Sequence, residues 1–164
     1  MLEAKSKKVT QWINDENFFV FLAGFIDSDG SVMIKKSGKY FRFVIRFFGE
    51  DLELLEKVRE RLKEGGYNTS MHKNHSKGEI RYHKGVKFVY NEDYYILETY
   101  KKDEALGLIG EIPIRHPEKI AKKLLMEKIY GQKTIFWKDV EKEVKALKEK
   151  IKESVLLKES LRLM

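Results

Sequence analysis

Cysteine is absent from this 164-residue chain, and proline and tryptophan occur only twice each. Without cysteine there is no disulfide framework and no thiolate metal site. No apolar run approaches the roughly 20 residues needed to cross a bilayer. The N-terminal Met-Leu-Glu-Ala-Lys-Ser-Lys-Lys lacks the apolar stretch of a signal peptide. A soluble, intracellular protein (cytoplasmic if prokaryotic) with no membrane partner is therefore expected. Charged residues make up 36% of the chain, and this, with few prolines and no cysteine, suits a thermophile. The length fits one domain with a real core, or half of a symmetric assembly. We read residues 1–164 as one such domain.

Acidic residues are missing from one stretch in particular. Residues 31–48 contain Lys35, Lys36, Lys39, Arg42 and Arg46 and no carboxylate. Residues 68–90 repeat the bias, with Lys73, Lys77, Arg81, Lys84 and Lys87 against Glu79 alone. The chain carries a formal net charge of +7, and these two windows supply the excess. Both read as strands, so the positive charge is focused on a sheet. A solvated face kept for solubility is the plain alternative, but a focused basic face suits a polyanion, most simply nucleic acid.

What is present in abundance is concentrated near the N-terminus. Phe18 to Ile26 is an unbroken apolar run that leads into Asp27 and Asp29. A surface helix normally keeps one polar side; this one has none. Its start is expected at Asn14, a good cap, with Asp15 and Glu16 in the first turn. At the helical period, Val20, Ala23, Gly24 and Asp27 share a narrow face of small residues. Phe18, Leu22 and Phe25 lie opposite, flanked by Phe19 and Ile26. The large side suits the chain's own core, and the small side permits close approach of another helix. No second copy of this helix exists in the chain, so the same helix of another copy is the economical partner, in a two-fold dimer.

Downstream, Tyr40 to Phe48 alternates as a half-buried strand, with Phe41, Phe43, Ile45 and Phe47 inward and Arg42, Val44 and Arg46 outward. Ser31 to Lys36 pairs with it through Ser37-Gly38-Lys39, placing Val32 and Ile34 inward and Met33 and Lys35 outward. A helix capped by Asp51 buries Leu55, Val58 and Leu62 and stops at Gly65-Gly66. Residues 67–100 read as further strands with turns at 76–78, 83–85 and 91–93. A short helix is expected over 102–108. The next helix starts at Pro117, with Ile120, Ala121, Leu124 and Leu125 inward and Gly131 as its stop. The last, from about Asp139, aligns Val140, Val144, Leu147, Ile151 and Val155, as core packing rather than a coiled coil. The fold class is α+β: a twisted, mostly antiparallel sheet with helices on one face and the basic face uncovered.

Leu22-Ala-Gly-Phe-Ile-Asp-Ser-Asp-Gly30 resembles the signature of the LAGLIDADG homing endonucleases, departing at Phe25 and Ser28. The chain looks like a single-motif, homodimeric member. The resemblance implies the helix-strand-strand-helix-strand-strand-helix arrangement of that fold, with motif helices packed at the dimer axis and each sheet lying in the DNA major groove as a saddle. It implies site-specific, divalent-metal-dependent cleavage of both strands of a long, pseudo-palindromic target, of the intron- or intein-mobility type. The final motif acid, Asp29, binds the metal, with the Ser28 carbonyl as a further ligand. Mg²⁺ is the expected ion, with Ca²⁺ or Mn²⁺ able to take its place. Asp27 is read as capping or orienting the helix ends at the dimer seam. The position that usually orients the attacking water falls near Phe47-Phe48-Gly49-Glu50 and is left unassigned. For the basic residue that supports the transition state, Arg115, His116 and Lys119 are candidates, with Lys119 favoured. A non-cleaving RNA-splicing maturase or DNA-binding regulator on the same fold is the alternative.

On the basic strands, Arg42 and Arg46 suit guanine edges, and Asn68, Ser70 and His72 suit other bases. Lys36, Lys39 and Lys84 suit phosphates. Met33, Lys35, Tyr40, Arg81, His83 and Lys87 complete the expected contact with double-stranded DNA; no small-molecule substrate is expected. His72, His75 and His83 lack the spacing of a zinc site.

Overall fold

The main sheet has four strands, paired antiparallel throughout. The computed structural model describes residues 17–162, so the expected cap at Asn14, the acids Asp15 and Glu16, and Lys5 to Lys8 fall outside it. Within those residues the order is α1 (Phe18–Asp29), β1 (Ser31–Ser37), β2 (Tyr40–Gly49), α2 (Leu52–Glu64), β3 (Thr69–His75), β4 (Ile80–His83), β5 (Val86–Val89), β6 (Tyr94–Thr99), α3 (Lys102–Glu111), α4 (Pro117–Gly131) and α5 (Trp137–Arg162). This is an α+β architecture. Two strand pairs, β1–β2 and β3–β6, flank helix α2, and a separate hairpin, β4–β5, interrupts the second pair.

Alternation in β1 and β2 sets the layers. Val32, Ile34, Phe41, Phe43, Ile45 and Phe47 are buried in one cluster with Leu22 and Ile26 of α1, Leu55, Val58 and Leu62 of α2, and Leu108 and Ile109 of α3. Met126, Ile129, Val140 and Val144 close the same core from α4 and α5. Val44, on the outward side by alternation, is nonetheless only 1% exposed. Helix α2 is capped as its sequence demands: the Asp51 carboxylate accepts from the Leu54 amide at 2.9 Å. It ends in a Schellman turn, with Tyr67 donating to Leu62 and Gly66, at a φ of +87°, donating to Lys63.

Three expectations from hydropathy are corrected. On α4 the buried positions are Lys119, Met126 and Ile129, whereas Leu124 is 58% exposed. The buried stripe begins on a lysine, so a pattern read from apolar letters slides off it. On α5 the stripe is buried at Val140 and Val144 and half-buried at Leu147 and Ile151, and only Val155, 46% exposed, leaves it. Val44, expected outward with Arg42 and Arg46, is the third; Phe25 is half-buried and packs against the core beside Phe47, as its side of α1 leads one to expect.

The junction of α1 and β1 is the tightest backbone passage in the fold. Gly30 ends α1 with its amide bonded to the carbonyls of Phe25 and Ile26, both at 3.1 Å. A Cβ there would lie 2.6 Å from the Ile26 Cα and 2.9 Å from the Arg46 carbonyl oxygen. Both neighbours are backbone and neither can swing aside. Gly30→Ala is therefore expected to destabilise the fold by about 3 kcal/mol, the upper end for overpacking, measured by urea unfolding. A loss below about 0.5 kcal/mol, the usual effect of a neutral surface change, contradicts the close approach.

Candidate metal centre and nucleic-acid interface

The carbonyls of Ile26, Asp27, Ser28 and Asp29 end α1; that of Ile26 accepts from the Gly30 amide, and the other three have no following helical amide. Two are taken by one side chain from α4: the Lys119 ammonium donates to the carbonyls of Ile26 and, at 3.0 Å, Asp27. Burial pushes the pKa of Lys119 down, and the nearby Asp27 and Glu118 charges act against that shift. Its cation neutralises the negative end of the helix dipole. The side chain expected at the phosphate is thus buried under the helix end, where it fixes the position of Ser28 and Asp29. Arg115, at the start of the same segment, is exposed.

Asp27 turns inward to the same segment. Its carboxylate accepts from the Arg115 amide at 2.9 Å and the His116 amide at 3.1 Å, satisfying two backbone donors just ahead of α4. Asp29 does the opposite: it is exposed, with no hydrogen bond or ion pair to its carboxylate among the described residues. The chain turns extended at Gly30, with ψ of 170°, so Ser28 and Asp29 have no following helical amide for their carbonyls. The Ser28 hydroxyl is occupied with the Phe25 carbonyl at 3.2 Å. What remains is one carboxylate and main-chain oxygens, an all-oxygen set that suits a hard divalent cation keeping several waters. No cluster of three or more His, Cys, Asp or Glu side chains suited to a metal occurs among the described residues. One chain therefore offers a partial set.

The open side of α1 ends at the same point. Val20 is 58% exposed, Gly24 has nothing within 4 Å of where a Cβ would stand, and Ser28 follows one turn later. Phe21 and Phe25 flank this stripe, half-buried. Two members of the expected small face are corrected. Ala23 is 6% exposed, inside the core, and Asp27 is held by α4's leading segment. The true stripe is Val20, Gly24 and Ser28, displaced by one residue because the core takes Leu22, Ala23 and Ile26 together.

Strand register defines the outer face of the sheet. Ser31, Met33 and Lys35 stand opposite Arg46, Val44 and Arg42; Glu98 is opposite Arg46, and Ser70 opposite Glu98. The face is thus less uniformly basic than residues 31–48 alone imply. Arg46 is paired with Glu98 at 2.5 Å, both groups largely shielded from solvent. That acid lies 52 residues away and no local window reveals it. Arg42 has no ion pair among the described residues, and its Nε is buried without a partner there. Lys35 and His72 are exposed, and Met33 and Ser70 are half-buried.

Asn68 is corrected as a base reader: its amide and side chain both donate to Glu104, at 2.7 and 2.9 Å, tying the start of β3 to α3. Tyr40 stacks on Phe136, 5.8 Å between centroids. The Lys39 carbonyl accepts from the Trp137 amide, which leaves the ammonium groups of Lys39 and Lys36 exposed at the β1–β2 turn. Arg81, His83, Lys84 and Lys87 stand on the β4–β5 hairpin, whose residues are all exposed. Lys84 and Gly85 take φ of +49° and +80° at its tip, a tight two-residue turn. Arg81 is engaged there, with Glu79 at 2.7 Å and the Asn74 carbonyl at 2.6 Å. Apolar Ile80, Tyr82, Val86, Phe88 and Val89 are exposed beside it.

The sequence matches the model of the LAGLIDADG-like domain over residues 18–107, from the first residue of α1 into α3. No curated protein matches it. Among solved structures, it is similar to an archaeal intron-encoded homing endonuclease, I-Vdi141I, complexed with DNA. The identity is 17%, over 71% of this chain and 72% of that one, with a TM-score of 0.43.

Proposed function

Because the chain belongs to the family of the LAGLIDADG-like domain, we propose that it is a homodimeric, metal-dependent endonuclease that cuts both strands of a long, roughly two-fold DNA site. The observation that carries this reading is the convergence at the end of α1. The unpaired Asp29 carboxylate and the free carbonyls of Ser28 and Asp29 lie where the open Val20-Gly24-Ser28 stripe ends. Two copies joined along that stripe bring two such ends together at the axis. A divalent cation, Mg²⁺ by preference, bound there by Asp29 and the Ser28 carbonyl would activate water and stabilise the leaving oxygen.

The rest is done by the chain's own groups. Lys119 and Asp27 lock the end of α1 against the segment leading into α4, so that Asp29 is held in one place; they act as positioning residues. Arg115 is the cation free to meet a phosphate oxygen. Lys35, Arg42, His72 and Lys87 face the duplex from the sheet and hairpin, and Lys36, Lys39 and Lys84 meet its backbone. Arg42, half-buried on the outer face and without an acidic partner among the described residues, is the strongest candidate for a guanine edge, through its terminal guanidinium nitrogens.

The test is binding to a duplex selected from a randomised library, titrated across salt in Ca²⁺ and followed for cutting in Mg²⁺. Affinity should fall steeply, with a slope of about −0.9 per neutralised phosphate. A flat dependence, or equal preference for structured RNA, removes the DNA reading. Binding without cutting favours a regulator or maturase. The Arg46–Glu98 pair supplies a sharper prediction. Glu98→Gln releases Arg46, so duplex affinity at low salt should rise and the salt slope should steepen by about 0.9. An unchanged slope means that Arg46 does not reach the duplex.

A further inference from the structure

We propose that Tyr94 is a positioning residue of the hydrolytic site, its hydroxyl holding the attacking water beside Asp29. This rests on the nuclease reading above and goes beyond it by naming a side chain for which neither the motif nor the basic strands give a cue.

Three observations lead to it. First, Tyr94 opens β6 on the outer face of the sheet, and its ring is pinned in a row of aromatics. Phe48 is stacked on one side at 6.4 Å and 16°, and His75 lies parallel at 5.0 Å and 3°. Tyr90 continues the row at 3.5 Å from His75. A ring held in this way presents its hydroxyl at one place. Second, Tyr94 is half-buried, and its hydroxyl has no hydrogen-bond partner among the described residues. Its pKa is raised, by burial first and then by the charges of Asp29 and Glu50. The strand registers agree with this: Gly49 pairs with Tyr95, which sets Glu50 opposite Tyr94, and Ser31 pairs with Arg46, which runs Asp29 toward Phe48, the ring stacked on Tyr94.

Third, β2 does not provide this service itself. Gly49 shares the inward side of Phe47, and a Cβ there would point at Leu55 Cδ1, 3.8 Å away, and at the Asp51 amide. Any side chain at that position would enter the core side, away from Asp29. Glu50 is exposed, and as a carboxylate it only accepts. A phenol donates and accepts at once: with no partner among the described residues, its oxygen accepts one O–H of the water and its own O–H is left for a second water. This leaves a lone pair of the water aimed at phosphorus. In the step so arranged, the water oxygen forms the new P–O bond and the bond to the leaving sugar oxygen breaks. The water's proton passes to Glu50 or solvent, and the leaving oxygen takes a proton from solvent.

Tyr94→Phe keeps the ring and its stacking and removes only the hydroxyl. With the intact dimer and a library-selected duplex, single-turnover cutting should fall by about 10²-fold, the lower end for a positioned proton-handling group. Duplex affinity in Ca²⁺, Mn²⁺ affinity of the DNA complex and thermal unfolding should match the parent. Cutting within threefold of the parent overturns the role. Loss of Mn²⁺ affinity overturns it too, by making Tyr94 part of the metal site. If the parent cuts, Asp29→Asn does not and Tyr94→Phe cuts like the parent, only the Tyr94 role fails. A parent that binds duplex and never cuts removes the reaction and this role with it.

Discussion

Asp29→Asn should bind its duplex like the parent protein and cut it at least about 10³-fold more slowly, the several kcal/mol that a bound cation contributes to the transition state being lost. The substitution keeps the shape of the side chain and removes one negative charge. Because Asp29 is exposed and its carboxylate has no hydrogen bond or ion pair among the described residues, no such contact is lost. A carboxylate in the last turn opposes the helix dipole, so thermal unfolding should be unchanged or slightly raised. That combination distinguishes a chemical role from a structural one. Asp27→Asn is the contrast: it weakens the acceptance of two backbone amides and should lower stability as well as cutting. Full cutting by Asp29→Asn would end the metal assignment.

The second large effect is expected at Gly24. A Cβ there has open space around it, so a side chain does not disturb the monomer, and leaving glycine gains helix propensity, up to about 1 kcal/mol. In a dimer joined along the stripe, the same position lies where two helices meet. Gly24→Glu places two carboxylates at the axis and fills the space that lets backbones approach. The variant should sediment as a folded monomer with an unfolding temperature at or above that of the parent, and it should lose cutting. A monomer carries only half of a symmetric site, so duplex affinity falls as well. A Gly24→Glu protein that remains dimeric moves the interface elsewhere; the exposed Val155, Leu156 and Leu157 on the free end of α5 are the next place to look.

The sequence reveals some of these features and hides others for identifiable reasons. The β1–β2 hairpin is readable because period-two alternation and a Ser-Gly-Lys turn are local signals, although Ser37 already pairs with Tyr40 and the turn itself is Gly38-Lys39. The α2 caps are readable because Asp51 and Gly66 have few other uses at helix ends. Pairings across the fold are not readable. Glu98 neutralises Arg46 only because β6 inserts beside β2, and Asn68 is taken by Glu104 of α3. The one-residue displacement of the open stripe on α1 has the same origin. Hydropathy identifies small residues, but only the packed core decides that Ala23 lies inside and Val20 outside.

Lys119 illustrates the limit most clearly. A lysine in the first turn of a helix, in a chain carrying this motif, invites assignment to the phosphate. Its actual partners, the carbonyls of Ile26 and Asp27, are main-chain atoms that no sequence pattern marks. Tyr94 is the converse. Nothing in its sequence neighbourhood sets it apart from the chain's other tyrosines, and only the sheet brings its hydroxyl to the two acids.

The central claim, two-fold cutting by paired α1 ends, is tested most directly by selecting, from a randomised duplex library, the molecules that the parent protein cleaves in Mg²⁺ and sequencing their ends. The account predicts breaks in both strands, staggered about the centre of a two-fold-symmetric consensus, and no cleaved products with Asp29→Asn. A consensus without symmetry, breaks in a single strand, or the same products from Asp29→Asn would contradict it.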